Sequence, residues 1–353
     1  MLAAPPPPSA DDQVLFLRCV QRLLEEGSFV ATYKYALLHS LADLAVRLGD
    51  DSGAPLVLST SQVAEAMIDL YWRQAVPFPA PACDPAMLRQ NIGSPAKIVT
   101  LIADARSALG PSMARARHDS LGWRRLVQQV ERVVSDMPLW KLQTVGDGTL
   151  DFLYENVGRG QSITLRHGVP YCLRTFHGLV TDLVRAAWLR YVRRHNAALL
   201  GSTADLTAFL FGSEREGLVK LPPLLRDLQD DRCLYCARPL GAAAVVDHFV
   251  PWTRYSIDLG HNFVLAHWSC NSSKADHLAT ADHLTAWVRR NRIAGDELQN
   301  RFDAARVLHD LGSSVRITRW AYAQTANVGG LVWRSGGGME SLSVEWRSLL
   351  AGA

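Results

Sequence analysis

The sequence predicts a mainly α protein: a helical N-terminal domain, one small strand–strand–helix domain held by a cysteine–histidine cluster, and C-terminal helices. Three observations carry this. Apolar residues recur every three or four positions over most of the 353 residues, the period of a helix with one buried face. Strand character between residues 233 and 274 is confined to two short apolar runs, 242–246 and 263–266. The same stretch holds a CxxC pair, Cys233 and Cys236, and an HxxC pair, His267 and Cys270, with His267 lying 31 residues after Cys236.

Composition bounds the answer. A chain with 48% hydrophobic and 20% charged residues is an ordinary soluble globular one, and its length allows a sizeable core in two or three domains. No apolar run reaches the ~18 residues of a membrane span, so no membrane partner is expected. The N-terminal MLAAPPPPSADD lacks the basic and apolar regions of a secretory leader, and its prolines predict a disordered lead-in over 1–12. Six cysteines are too few for a disulfide scaffold. Cys19, Cys83 and Cys172 lie singly in apolar surroundings and read as buried thiols, and a cytoplasmic location fits the set. Net charge is only +3, but residues 101–200 carry 14 Arg or Lys against 8 Asp or Glu. That asymmetry permits a nucleic-acid partner.

Helices are expected in order. Val14, Leu17, Val20, Leu23 and Leu24 share one face until Gly27, and Leu37, Leu41, Leu44 and Leu48 share another until Gly49. Tyr33, Lys34 and Tyr35 read either as an aromatic–basic contact for a nucleic-acid strand or as packed tyrosines with a snorkelling lysine. Ser59 and Gln62 have capping-box spacing, so a helix is expected from Thr60 to about Arg73. Prolines between 77 and 95 mark a loop or linker, and further helices are expected over 95–109 and 121–135. The triplet at 163–165 reads as a strand. Residues 169–199 read as one long helix with Leu173, Phe176, Val180, Leu183, Val184, Ala187 and Val192 buried. Its Arg185, Arg190, Arg193 and Arg194 suit either the helix dipole or a phosphate-contacting face. Short helices follow at 205–212 and 222–229. After the central stretch come helices over 276–293, 296–311 and 313–326, then a short tail beyond the glycines at 336–338. The expected division is a lead-in (1–12), a helical domain (13–220), the cysteine–histidine domain (221–293) and a helical extension (294–353).

Four soft or borderline ligands from two distant short-spaced pairs are what tetrahedral zinc requires. Cys233, Cys236, His267 and Cys270 form such a Cys₃His set, which is closed and therefore structural. A metal staple is the expected substitute for a large core in a segment this small. His261 reads as a surface histidine, as do Asp276, His277, Asp282 and His283 as surface positions.

Inside the staple lies a second chemistry. Hydrolysis of a phosphodiester needs an activated water and charge stabilisation at phosphorus, which a hard divalent cation on oxygen ligands can supply. Asp247 offers a ligand and His248 a base at the end of the first apolar run. In a strand, neighbouring side chains face opposite ways, so the two need a local bend to converge. Asn271 opens the helix after the second run and is expected beside Asp247.

With these residues in view, the stretch resembles the HNH endonucleases, the ββα-metal nuclease family. It shows Cys233-Leu-Tyr-Cys236, Asp247-His248, Asn262, and Cys270-Asn271-Ser-Ser-Lys274. The resemblance implies that His248 is the general base and that Asp247 and Asn271 hold one magnesium ion, with manganese able to substitute. It further implies that Asn262 braces the loop carrying the histidine, and that products carry 5′-phosphate and 3′-hydroxyl ends. Two positions depart from the pattern: Asn271 stands where many members have histidine, and His267 where the second cysteine pair usually begins. Lys274 and Arg254 read as phosphate-gripping neighbours or as solvent-exposed cations. The flanking segments YCLRTFHGLV, FLFG (209–212) and DHFVPWTRY are similar to those of bacterial standalone HNH proteins, some connected with phage defence or restriction. That likeness implies a defence-system partner protein.

The leading reading is a metal-dependent endonuclease acting on DNA, nicking one strand per active site. A zinc-stapled nucleic-acid-binding or adaptor module without catalysis is the alternative, and an RNA-cleaving nuclease would use the same chemistry.

Overall fold

The computed structural model describes residues 5–79, 84–93, 95–156, 160–200, 205–212, 218 and 220–351. Cys83, expected as a buried thiol, lies outside them, as do residues 1–4 of the expected lead-in. The chain divides into two compact units, Met1–Gly212 and Ser213–Ala353, and is mainly α.

The first unit is built on α2 (Tyr33–Leu48), which buries residues on every side. Around it lie α1 (Ala10–Glu26), β1 (Leu56–Ser59), α3 (Thr60–Tyr71), α4 (Lys97–Leu109), α5 (Met113–His118), α6 (Ser120–Asp136) and α7 (Pro138–Lys141). The short strands β2 (Thr144–Val145), β3 (Gly148–Thr149) and β4 (Ser162–Leu165) precede α8 (Val169–Thr175), α9 (His177–His195) and α10 (Leu206–Phe211). The expected capping box forms: Ser59 Oγ accepts from the Gln62 amide while the Gln62 side chain accepts from the Ser59 amide. The strand at 163–165 pairs antiparallel with β1, Leu165 opposite Leu56.

In the described part of the lead-in, Ser9 and Asp12 cap α1 reciprocally, and the Gly53 amide donates to Pro5 O at 3.0 Å. Two expectations are corrected here. The long helix over 169–199 is two helices, because the backbone leaves helical geometry at Phe176 (φ −104°, ψ 21°). On either side of the break, buried Arg174 donates to Ala45, Val46 and Gly49 carbonyls, and His177 meets Asp43 at 2.8 Å. Both thus grip α2. Leu183, expected in the buried stripe, is exposed, and Arg185 reaches His39 at 3.0 Å while Arg190, Arg193 and Arg194 stay in solvent.

Tyr33, Lys34 and Tyr35 pack. Tyr35 stacks on Phe29 with ring centroids 4.2 Å apart, and Lys34 lies over the same ring. Burial pushes the Lys34 ammonium down to about 8, as expected for a cation in an apolar wall and not for a phosphate contact.

The second unit holds α11 (Leu221–Leu225), β5 (Ala244–His248), β6 (Phe263–His267), α12 (Trp268–Lys274), α13 (Ala281–Ile293), α14 (Gly295–Ala305) and α15 (Leu311–Asn327). It ends in β7 (Leu331–Arg334), β8 (Gly338–Ser341) and α16 (Trp346–Ala351). The tail expected after 336–338 is therefore a hairpin and a helix. Gly336 and Gly337 turn the hairpin with φ of 98° and 93°, a region open to glycine at little steric cost. The helices expected as a separate extension belong to this unit: Trp333 donates its amide to Leu278 O at 2.7 Å and its indole N–H to Ser273 Oγ at 2.9 Å.

Candidate metal centres

β5 and β6 form a two-stranded antiparallel ladder running from Ala244 opposite His267 to His248 opposite Phe263. A two-stranded sheet is marginal alone, and three supports hold it. α12 packs across it. Buried Gln229 closes its edge, accepting from the Leu265 amide at 2.9 Å and donating to Leu265 O at 3.0 Å. The third is the cysteine–histidine cluster.

The ligand atoms of Cys233, Cys236, His267 and Cys270 all lie within 4.8 Å of one another. Cys233 and Cys236 sit on a tight turn closed by the Ala237 amide on Cys233 O. His267 turns Nδ1 toward Cys236 Sγ, 3.2 Å away, while Nε2 meets Pro239 O at 2.9 Å. A carbonyl on the far ring nitrogen fixes the tautomer that presents Nδ1 to a metal. Burial works to raise the Cys236 thiol, but hydrogen bonds from Arg238, Cys233 and Cys270 outweigh it and bring it down to about 6. Donor type, number and spacing fit zinc.

The residues of the second set lie at one end of the ladder, where Asp247 and His248 close β5, and in α12, which carries Asn271. Asp247 and His248 are consecutive on β5 and their side chains meet different partners. Buried Asp247 accepts from the Tyr235 hydroxyl at 2.5 Å and pairs with Lys274 Nζ at 3.0 Å, both on Oδ2. Its Oδ1 has no hydrogen-bond partner among the described residues, and neither has the Asn271 side chain. Those are oxygen donors of the kind a hard cation takes. His248 meets Asp258 instead, Nε2 to Oδ1 at 2.7 Å, with its ring edge-on to Phe263 at 4.9 Å and tilted against Trp252 at 5.7 Å.

Asn262 is a clamp. Its Oδ1 accepts from the Val250 amide at 2.8 Å, its Nδ2 donates to Val250 O at 3.0 Å, and its own carbonyl accepts from the Phe249 amide at 2.8 Å. The loop leaving His248 is thereby tied to the start of β6. α13 holds the other side: Arg290 donates to Phe263 O and His261 O at 2.5 and 2.8 Å, and Trp287 Nε1 to His261 O at 2.9 Å. Trp287 also stacks on Phe249, centroids 5.2 Å apart.

Four expected surface groups are not on the surface. Lys274 is fully buried, donates to His248 O at 2.8 Å, and is held below the ordinary lysine range by burial, with Asp247 opposing. Its ammonium is thus engaged inside the fold by Asp247 and the His248 carbonyl. Arg254 is half-buried, with Nη1 on Thr325 Oγ1 at 3.2 Å and its Nε enclosed. His261 is fully buried. His283 is buried too, accepting from the Ser335 amide and packed on Tyr235 and Trp333. Asp276, His277 and Asp282 are exposed as expected.

Tyr235, Asp258 and Arg290 carry contacts that sequence reasoning passed over. Asp258 lies four residues before Asn262, inside a loop with no periodicity to announce it. Tyr235 stands within the CxxC pair, where the cysteines drew the whole reading.

Residues 233–277 match the family model described as HNH endonuclease, and no curated protein matches the chain. The matched stretch holds both constellations. The match marks this stretch as an HNH-type nuclease segment, which implies a nucleic acid as its substrate. No helix among the described residues is long and apolar enough to cross a membrane.

Proposed function

We propose that the second unit is a metal-dependent endonuclease that hydrolyses DNA phosphodiester bonds, one strand per site. The observation that carries it is the split at β5. Asp247 is fixed on Oδ2 by Tyr235 and Lys274 with Oδ1 left over, and the next residue, His248, is fixed on one ring nitrogen with the other left over. A free carboxylate oxygen and a free imidazole nitrogen on adjacent residues are the ligand and base that hydrolysis of a phosphodiester needs.

Asp247 and Asn271 would hold magnesium, which when bound supplies charge stabilisation at the scissile phosphate and at the leaving oxygen. His248 takes a proton from the attacking water. Lys274, bonded to His248 O and Asp247 Oδ2, keeps ligand and base in register. Asn262 fixes the exit of β5 by closing on Val250. Cys233, Cys236, His267 and Cys270 would hold zinc, which secures the knuckle carrying Tyr235. On the likeness of the flanking segments to bacterial standalone HNH proteins, we assign this activity to phage defence or restriction.

The test is nicking of supercoiled plasmid with magnesium. His248→Ala should lose nicking altogether and keep its zinc. Cleavage persisting in that variant would overturn the reading. Parallel digestion of single-stranded DNA and structured RNA fixes the substrate, since the 2′-hydroxyl takes no part in this chemistry.

A further inference from the structure

We propose that Asp258 is a positioning residue that fixes the tautomer and orientation of His248, so that Nδ1 is the nitrogen that takes the proton. The inference rests on His248 acting as the base. An ionised carboxylate only accepts hydrogen bonds. The 2.7 Å contact between His248 Nε2 and Asp258 Oδ1 therefore places a proton on Nε2 and, in the neutral ring that a base requires, the lone pair on Nδ1, which has no hydrogen-bond partner among the described residues. Which nitrogen is protonated is set by the bond the other one makes.

The carboxylate is held well enough for this task. Asp258 lies in the loop that joins β5 to β6, and that loop is pinned along its length. Asn262 ties it to Val250, the Arg254 and Tyr255 amides both donate to Pro251 O, and the Gly260 amide donates to Leu308 O at 2.8 Å. Tyr255 is buried with its ring edge-on to Trp320 at 5.9 Å. The His248 and Asp258 side chains are 18% and 25% exposed, so water competes little for their bond. Phe263 and Trp252 against the ring oppose its rotation. His248 is the one described side chain within hydrogen-bond distance of the Asp258 carboxylate.

The experiment is nitrogen NMR of the zinc-loaded, magnesium-free full chain carrying labelled histidine, alongside plasmid nicking kinetics. Wild-type protein should show His248 in a single tautomer protonated at Nε2. Asp258→Asn keeps the size of the side chain but donates as well as accepts. It should admit the second tautomer and lower kcat about 100-fold or more, the range that general-base catalysis contributes, with KM changed less than about twofold. Asp258→Glu should restore the single tautomer and part of kcat. A single Nε2–H tautomer in Asp258→Asn with kcat unchanged overturns the proposal, while a dead His248→Ala in the same assay leaves the base itself standing. If His248→Ala nicks like wild type, the proposal falls with its premise. Should Asp258→Asn lose zinc or fold, the wild-type spectrum decides alone: a mixture of tautomers, or protonation at Nδ1, refutes it.

Discussion

The Tyr235 hydroxyl donates to Oδ2 of Asp247 at 2.5 Å, so the cysteine knuckle and the candidate catalytic carboxylate share a hydrogen bond. Tyr235 is one residue from Cys236, is buried, and is walled by His283 and Trp333. Burial, reinforced by the Asp247 charge, holds its hydroxyl well above the ordinary tyrosine range, which keeps it a donor. Whatever loosens the knuckle also loosens Asp247.

Tyr235→Phe isolates that bond. A hydrogen bond to a charged group contributes roughly 1.5–3 kcal/mol, and Asp247 keeps Lys274 as a partner. The variant should therefore fold and keep its zinc, lose about 1–2 kcal/mol of stability in urea, and nick plasmid about tenfold more slowly. Unchanged nicking would mean that Lys274 alone positions the carboxylate.

Removing zinc should act on one unit. The ladder of β5 and β6 is too small to stand without its staple, whereas the first unit has a core of its own around Leu37, Leu41, Trp72 and Trp188. Cys270→Ser, or chelation of the wild type, should lower the thermal transition of residues 213–353 and leave that of the first unit in place. Because the ligand thiols must lose protons to bind metal, zinc should also dissociate more readily as the pH falls. Metal content and differential scanning calorimetry check both statements.

Lys274→Met separates a buried ion pair from a phosphate contact. Taking away one partner of a buried pair leaves the other charge uncompensated, at a cost of roughly 3–5 kcal/mol. The urea midpoint should fall accordingly. The dependence of DNA affinity on salt should keep its slope, since a side chain with no exposed surface releases no counterion. A slope smaller by about one would show that Lys274 touches phosphate after all.

Short-range chemistry was legible in the sequence because spacing alone encodes it. Cys233 and Cys236 on one turn, His267 and Cys270 on one helical turn, and Asp247 beside His248 need no knowledge of distant contacts. Burial of polar groups was not legible. Lysine is rarely buried and histidine only sometimes, and it is distant packing that takes these inside: Lys274 over the Tyr235 ring, His261 against Phe302, and His283 against Tyr235 and Trp333. The break at Phe176 escaped for a related reason. The apolar period runs through it unbroken, and what divides the helix is the reach of Arg174 and His177 to α2, more than 120 residues earlier.

His261 gives the unit a pH dependence whose sign is fixed. The ring is fully buried and neither nitrogen has a hydrogen-bond partner among the described residues. It faces Arg290, His309 and Asp310. Burial first, then Arg290 and His309, push its pKa down to about 4, with Asp310 opposing. In the unfolded chain the imidazole takes up a proton as the pH falls below about 6.5, while the native state refuses it until about pH 4. The unfolded state thus binds more protons across that window, and stability falls as the solution is acidified through it. The full effect amounts to about 3 kcal/mol. His261→Phe keeps the ring, which lies edge-on to Phe302 at 5.3 Å, and removes the titration. Its urea midpoint should change less between pH 6.5 and 4 than the wild type's, with the two converging in offset above pH 7. Parallel curves across the whole range would place the acid sensitivity elsewhere.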